Sequence, residues 1–155
     1  MSIFPTKIVL ATDGSREAKL AATTAADLAK STGSELHVLY VGEALNPYAE
    51  EVGLAGAEVG DFERQARDLL EAEAERVRAA GAALAQAYLS RGKVDHEVVT
   101  LAEEIGAGLV VLGSRGRGGI RRALMGSVSE SVVRHSHCPV LVVRDGAGAL
   151  PPRSS

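Results

Sequence analysis

A glycine-rich segment in the last third of the chain has the composition of a phosphate-binding loop. It reads Gly113-Ser-Arg-Gly116-Arg-Gly118-Gly119, and Gly126-Ser127-Val128-Ser129 then opens a predicted helix. Glycine lets successive backbone N–H groups converge on an anion, and a helix N-terminus adds unpaired donors and partial positive charge. Ser127 and Ser129 add hydroxyl donors, and Arg115 or Arg117 could neutralise phosphate charge. Taken alone, the segment could equally be an ordinary surface loop.

Two common nucleotide motifs are absent. No Gly-Lys-Ser/Thr follows the glycines, so the segment is not a Walker A loop, and the first predicted strand carries no G-x-G-x-x-G. That strand ends instead in Asp13-Gly14-Ser15, where Asp13 is either a turn former or, across a crevice, a group that holds Mg²⁺ through water. His135 and His137 are not spaced with other metal ligands, and Cys138 is expected in the core.

Short apolar runs alternate with helical patterns along the chain. Ser15 is a plausible N-cap for a first helix, whose alanine-rich pattern Gly33 ends. Further helices are predicted over 61–88, 101–105 and 128–134, and a long loop over 42–60. Strands are predicted over 7–12, 35–41, 94–99, 109–112 and 139–144. The crossover 100–108 is then unusually short, because parallel crossovers usually need a dozen or more residues.

This alternation predicts an α/β fold with a parallel sheet and helices on both faces. In such sheets, ligands bind outside the carboxyl ends of the strands, where the strand order reverses. If the third strand is an edge, the reversal lies between the first and fourth strands. Asp13 follows the first of these and Gly113 the fourth, so both loops should converge on one crevice.

Length and composition favour a single domain over 1–145 with a flexible tail over 146–155. Of the 155 residues, 46% are apolar and 3% aromatic, without Trp, which argues against a stacking platform for single-stranded nucleic acid. The net charge of −3 gives no support for binding to DNA or anionic lipid. Cys138 is the single cysteine, and no signal pattern or long apolar run is present. A cytoplasmic protein without a nucleic-acid or membrane partner is expected.

Two segments of the chain resemble those of a known family. The spacing Gly113-x2-Gly116-x9-Gly126-Ser127 resembles the ATP-binding motif of the universal stress protein family. The run GSRGRGGIRRALMGSVSESVVRHSHCPVLVVR resembles that family's C-terminal third, and KIVLATDGS resembles its first strand and turn. The resemblance spans nearly the whole chain. It implies a flavodoxin-like, open five-stranded parallel sheet with helices on both faces, of the adenine nucleotide alpha hydrolase-like type.

The resemblance also implies a nucleotide site and the ATP-binding branch of the family. Ala11, Thr12 and Asp13 would line the ribose and adenine, and Val41 would meet adenine through its backbone. Gly126, Ser127, Val128 and Ser129 would close over the phosphates. The residues that would wrap the phosphates are Gly113, Ser114, Arg115, Gly116, Arg117, Gly118 and Gly119. ATP is the implied cofactor, with Mg²⁺ at Asp13.

Three functions follow, and the leading one is an ATP-binding stress-response or regulatory protein that works by binding. The second is an enzyme of the ATP-pyrophosphatase type, or one that hydrolyses ATP slowly. The pyrophosphatase class has a Ser-Gly-Gly loop where this chain has Thr12-Asp13-Gly14-Ser15. The third is an interaction module with an empty crevice.

No catalytic residue is assigned, because the segment from Gly113 to Ser129 contains no carboxylate, Gln or His. The nearest such groups are Asp13 and Glu130, so at most slow hydrolysis is expected. The last strand, Val140 to Val143, is apolar at every position. It should lie at the sheet edge, where an exposed apolar strand invites pairing, so a homodimer through this strand is expected.

Overall fold

The structure is a computed structural model that describes residues 2–42, 56–114 and 126–145, with backbone alone for 56–59. The candidate residues Arg115, Gly116, Arg117, Gly118 and Gly119, most of the predicted loop 42–60 and the predicted tail lie outside these ranges. Strands and helices alternate through the described chain. They are β1 (Lys7–Thr12), α1 (Arg16–Thr32), β2 (Glu35–Gly42), α2 (Gly56–Ala79), β3 (Leu84–Arg91), α3 (Val94–Ile105), β4 (Leu109–Gly113), α4 (Ser127–His135) and β5 (Val140–Val143).

The five strands form one parallel sheet in the order β3-β2-β1-β4-β5. β1 lies at the centre, with Leu10 opposite Val38 of β2 on one side and Val111 of β4 on the other. The predicted parallel sheet is therefore confirmed, and so is the reversal of strand order between β1 and β4. The side chains on both faces of β1 are buried, which fits its continuous apolar sequence.

Helices cover both faces of the sheet. Ile8 and Leu10 of β1 point toward α1 and α2, whose buried residues include a series of alanines and Val77. Val9 points to the opposite face, which is covered by Val98 of α3 and Val132 of α4. Among the described helices, none combines the length and apolar character that a membrane span requires.

Local signals set the limits of α1 as predicted. The Ser15 hydroxyl accepts a hydrogen bond from the Ala18 amide at 3.2 Å, which caps the first turn. Gly33 ends the helix in the left-handed conformation, with φ of 68°. Between these caps, the alanines of α1 face the sheet at helical spacing.

The predicted boundary after the long helix was wrong. The helix begins at Gly56 and ends at Ala79, and Leu84–Arg91 forms strand β3 instead of the last turns of a helix reaching Tyr88. Gly81, with φ of 91°, lies in the turn between them. Glycine adopts this φ without the strain that other residues would suffer, so Gly81 allows the chain to turn from α2 into β3.

The predicted third strand over 94–99 was also wrong, because these residues belong to α3. Val98, Leu101 and Ala102 are buried on one side of α3, at the spacing of a helix instead of the alternation of a strand. The short helix predicted over 101–105 is the end of α3. The crossover from β3 to β4 therefore contains a full helix, and the unusually short crossover expected at 100–108 does not exist.

Candidate functional site

The ends of β1 and β4 lie side by side, because the two strands pair in parallel. This places Ala11, Thr12 and Asp13 next to Gly113 and Ser114, at the edge of the sheet where α4 also begins. Val41 lies near the end of β2, on the other side of β1, and is buried. The structure thus gathers the described candidate residues at the carboxyl edge around the strand-order reversal.

The turn after β1 is held by its own side chains. Asp13 Oδ1 accepts the Ser15 amide at 2.9 Å, and Thr12 Oγ1 accepts the Gly14 amide at 3.3 Å. Asp13 therefore acts as a turn former, one of its two roles considered from the sequence. Its role toward Mg²⁺ stays a prediction.

Ser114 joins β4, β5, α1 and α4 through hydrogen bonds from each of its polar groups. Its amide donates to the Val143 carbonyl at 2.8 Å, and its hydroxyl donates to Oε2 of Glu17. Its carbonyl accepts the Gly126 amide and the Ser129 hydroxyl, both at 2.6 Å. We call these five residues the Ser114 junction. Since Ser114 is only 3% exposed, the junction lies beneath the crevice surface.

The N-terminus of α4 emerges from this junction without a side-chain cap. Gly126 is the N-cap residue and makes no side-chain capping hydrogen bond. The first helical bond runs from the Glu130 amide to the Gly126 carbonyl at 3.0 Å. The amides of Ser127, Val128 and Ser129 therefore have no partner within the helix, and they carry its positive dipole end. Such a terminus suits an anion.

The hydroxyl of Ser129 is already used in hydrogen bonds to backbone carbonyls. Besides the bond to Ser114, its Oγ lies 3.0 Å from the Gly126 carbonyl, so the hydroxyl proton is shared among backbone acceptors. A direct bond from this hydroxyl to phosphate stays a prediction and would require that proton to change partner. Ser127 and Val128, in contrast, are exposed.

Glu17 is a buried carboxylate of the Ser114 junction that sequence reasoning missed. It is 7% exposed, and its carboxylate accepts the Ser114 hydroxyl. From the sequence, Asp13 and Glu130 were expected to be the nearest carboxylates. Glu130 is exposed, however, and its carboxylate lies 3.1 Å from the guanidinium of Arg134. One signal was present, since Glu17 begins the row of helical spacing that continues through buried Ala21 and Ala25.

Within the described ranges, no group of three or more His, Cys, Asp or Glu side chains could hold a metal ion. His135 Nδ1 lies 2.9 Å from the Ser131 carbonyl.

Comparison with known families agrees with this fold and sequence pattern. The model of the universal stress protein family matches residues 5–144. The chain belongs to the universal stress protein family. It is 34% identical over 146 residues to universal stress protein YxiE of Bacillus subtilis, and the matched region covers 89% of this chain and 98% of YxiE. It is also 34% identical over 145 residues to universal stress protein MJ0531 of Methanocaldococcus jannaschii, covering 89% and 81%.

Solved structures of the family show the same architecture. Universal stress protein UspA from Lactobacillus plantarum is 26% identical with a TM-score of 0.79, over 92% of this chain and all of that one. A universal stress protein crystallised in complex with cAMP is 28% identical with a TM-score of 0.67, over 92% and 98%. The flavodoxin-like sheet predicted from the sequence is the fold of this universal stress protein.

Proposed function

We propose that this universal stress protein binds ATP in the crevice between the ends of β1 and β4 and acts through binding instead of turnover. The observation that carries the proposal is the start of α4. Its N-cap residue is Gly126, which has no side chain to cap the first turn, and the Gly126 amide is bound to the end of β4 at Ser114. The amides of the first turn, which have no partner within the helix, therefore lie at the edge of the sheet where ligands bind in this type of fold.

The proposed roles follow the arrangement of the crevice. Ala11, Thr12 and Asp13 lie at the end of β1, where they line the ribose and adenine, and Val41 meets adenine through its backbone. Phosphates lie against the loop that begins at Gly113 and against the first turn of α4. Mg²⁺ bound to the phosphates is held by Asp13 through water.

Comparison supports the ligand class. The family member in complex with cAMP holds an adenine nucleotide, and it shares this fold over most of both chains. The glycines and the helix N-terminus of the present chain suit a ligand with a phosphate chain, and ATP is our proposal on that ground.

The described carboxylates of the crevice favour binding over turnover. Asp13 accepts the Ser15 amide, and Glu17 accepts the Ser114 hydroxyl. Fast turnover needs a group that orients the attacking water, and we assign that role to neither carboxylate, because each already accepts a hydrogen bond from its own chain. ATP bound here would then serve as a structural signal.

Two measurements test the proposal. Mass spectrometry of material released by denaturing the purified protein should detect an adenine nucleotide, and calorimetry should show ATP binding. Gly116→Val should weaken that binding about tenfold or more, because a branched side chain blocks close approach of backbone to phosphate. Gly60→Ala is the control, since a Cβ there meets nothing within 4 Å. Absence of ATP binding by the wild-type protein contradicts the proposal.

We also propose that two copies associate through β5. This strand pairs with β4 on one side and ends the sheet on the other. Its four residues, Val140 to Val143, are apolar and only partly buried. Val133 belongs to α4, a helix that contacts the same strand, and is 47% exposed. An apolar edge of this kind suits antiparallel pairing across a two-fold axis.

A further inference from the structure

We infer that Glu17 is a positioning residue for the nucleotide phosphates, because it fixes Ser114 and, through Ser114, the first turn of α4. The inference rests on the proposed function and adds to it a residue outside the glycine motif. Three contacts in series connect Glu17 to the first turn of α4: α1 to β4, Glu17 to Ser114, and Ser114 to α4.

The first contact holds Glu17 against the end of β4. Gly113 has no side chain, and the first turn of α1 lies directly over it. A Cβ at residue 113 would stand 2.9 Å from the Glu17 Cβ and 3.0 Å from its backbone carbonyl carbon. The position of Glu17 relative to β4 is therefore set by backbone packing. In the first turn of α1, the helix dipole also favours its carboxylate.

The second contact passes from Glu17 to Ser114. The buried Ser114 hydroxyl donates to Glu17 Oε2. Without this acceptor, a buried donor would lose its partner, and an unsatisfied buried donor is unfavourable enough to drive local rearrangement. Since the carbonyl belongs to the same residue, just after β4, we expect such a rearrangement to loosen its contacts with α4 as well.

The third contact passes from the Ser114 carbonyl to α4. That oxygen accepts the Gly126 amide and the Ser129 hydroxyl, each at 2.6 Å. These two bonds fix both ends of the first turn, so they determine where the amides of that turn point. Binding groups held in place before the ligand arrives bind more tightly, because less ordering remains to be done on association.

The charge of Glu17 and its hydrogen bond have opposite effects on the binding of phosphates. A buried carboxylate close to the phosphates repels them, whereas its oxygen positions the amides that attract them. Glu17→Gln separates the two effects, because the amide oxygen still accepts the Ser114 hydroxyl while the charge is lost. Glu17→Ala removes both. If Glu17 acts by positioning, Glu17→Gln should preserve ATP affinity and Glu17→Ala should not.

The test measures ATP affinity by calorimetry for the wild type, Glu17→Ala, Glu17→Gln and Asp27→Ala. Asp27 is an exposed residue of the same helix and serves as the control. We expect Glu17→Ala to weaken binding about tenfold, as loss of one buried hydrogen bond implies. Glu17→Gln should bind at least as tightly as the wild type, and Asp27→Ala should match it.

Hydrogen exchange of the ligand-free proteins provides a second readout. The Gly126 amide should exchange faster in Glu17→Ala and at the wild-type rate in Glu17→Gln, since its bond to Ser114 depends on the junction. If Glu17→Ala does not fold, Ser114→Ala removes the other end of the same hydrogen bond and should accelerate Gly126 exchange and weaken binding.

The outcomes separate this inference from the proposed function. If the wild type binds no ATP, the proposed function fails, and the exchange of Gly126 still tests the action of Glu17 on α4. If the wild type binds ATP and Glu17→Ala binds equally well, the inference is overturned. It is also overturned if Glu17→Gln is as weak as Glu17→Ala, because an oxygen that can still accept the Ser114 hydroxyl would then have preserved nothing.

Discussion

Gly113 illustrates how one residue can meet two demands. Sequence reasoning assigned it to the phosphate loop, where glycine permits close approach to an anion. The structure gives it an independent role, because the first turn of α1 lies against the position that a side chain would occupy. A glycine at this point is therefore required for packing whether or not a ligand is bound.

Gly113→Ala should destabilise the fold. The added Cβ would meet backbone atoms of α1, at 3.0 Å from Glu17 C and 3.2 Å from Ala18 N, and backbone cannot yield as a flexible side chain can. We expect the free energy of unfolding to fall by roughly 1–3 kcal/mol, the range for overpacked sites. Chemical denaturation followed by circular dichroism measures this change.

Gly60→Ala is the matched control for that measurement. It places the same methyl group in a helix with open space around it, so stability should rise slightly. Equal stability of Gly113→Ala and the wild type would show that α1 can move away from β4 at little cost.

Residue roles could be predicted from sequence where both partners are close in the chain. The cap at Ser15, the turn at Asp13 and the left-handed Gly33 all depend on local hydrogen bonds or local backbone conformation. The bond between Glu17 and Ser114 joins residues from opposite halves of the chain. Nothing in the local pattern around either residue specifies that partner.

At the level of elements, central strands were predicted correctly and the edge strand β3 was not. β1 and β4 are buried on both faces and read as continuous apolar runs. β3 is an edge strand with mixed exposure, and its sequence LAQAYLSR has neither a continuous apolar run nor a clear alternation. Leu84 continues the helical spacing of α2, so the pattern alone extended that helix through the turn at Gly81.

Helix α3 was misread for a related reason. Its start carries no capping signal, because Lys93 is the N-cap residue and makes no side-chain capping bond. Several valines then favour a strand by intrinsic preference. Packing of Val98 and Leu101 against the sheet overrides that preference.

α2 contains a buried acid on its core-facing side. Glu73 is 3% exposed, and its Oε2 has no hydrogen-bond partner within the described chain. Its Oε1 lies 3.7 Å from Nε of Arg76. Burial raises the pKa of Glu73 above its ordinary value of 4.5; Arg76 and Lys19 oppose the shift and Asp13 adds to it.

Glu73→Gln should therefore increase stability at neutral pH by roughly 1 kcal/mol, because the variant buries no charge. The folded protein holds the Glu73 proton more tightly than the unfolded chain does. The stability this provides is complete below pH 4.5, the ordinary pKa, and is lost as pH rises through the raised pKa. The difference between variant and wild type should grow over that interval.

Denaturation at a series of pH values measures the difference. Glu75→Gln, on the exposed side of the same helix, is the control and should show a much smaller change. A stability difference for Glu73→Gln that stays constant from pH 4.5 to 7 would contradict the assignment.

For the molecule as a whole, the proposed dimer makes a direct prediction. Val142→Lys places a charge on the exposed edge of β5, where a second copy would pair, so the variant should be monomeric. Light scattering at micromolar concentration measures the mass of the wild type and the variant. Circular dichroism confirms that the variant is folded, which matters because Val142 also packs against the core.

Two comparisons make the dimer experiment decisive. Ile3→Lys charges another exposed apolar residue, which precedes β1 and is not part of the proposed interface, and should leave the mass unchanged. Val133→Lys charges an exposed residue of α4, the helix that contacts β5, and should weaken association with little risk to the core. A wild-type protein that is monomeric at these concentrations rules out the proposed dimer.

The pairing of β1 with β4 has a consequence for synthesis on the ribosome. Ile8 lies opposite Leu109, so the centre of the sheet joins the beginning of the chain to a segment made much later. A nascent chain that has released only β1, α1 and β2 holds half of the crevice, and contacts of such long sequence separation form slowly. Any ligand that needs both halves binds only after α4 has emerged. It can then stabilise the finished domain by mass action but cannot assist the earlier stages of folding.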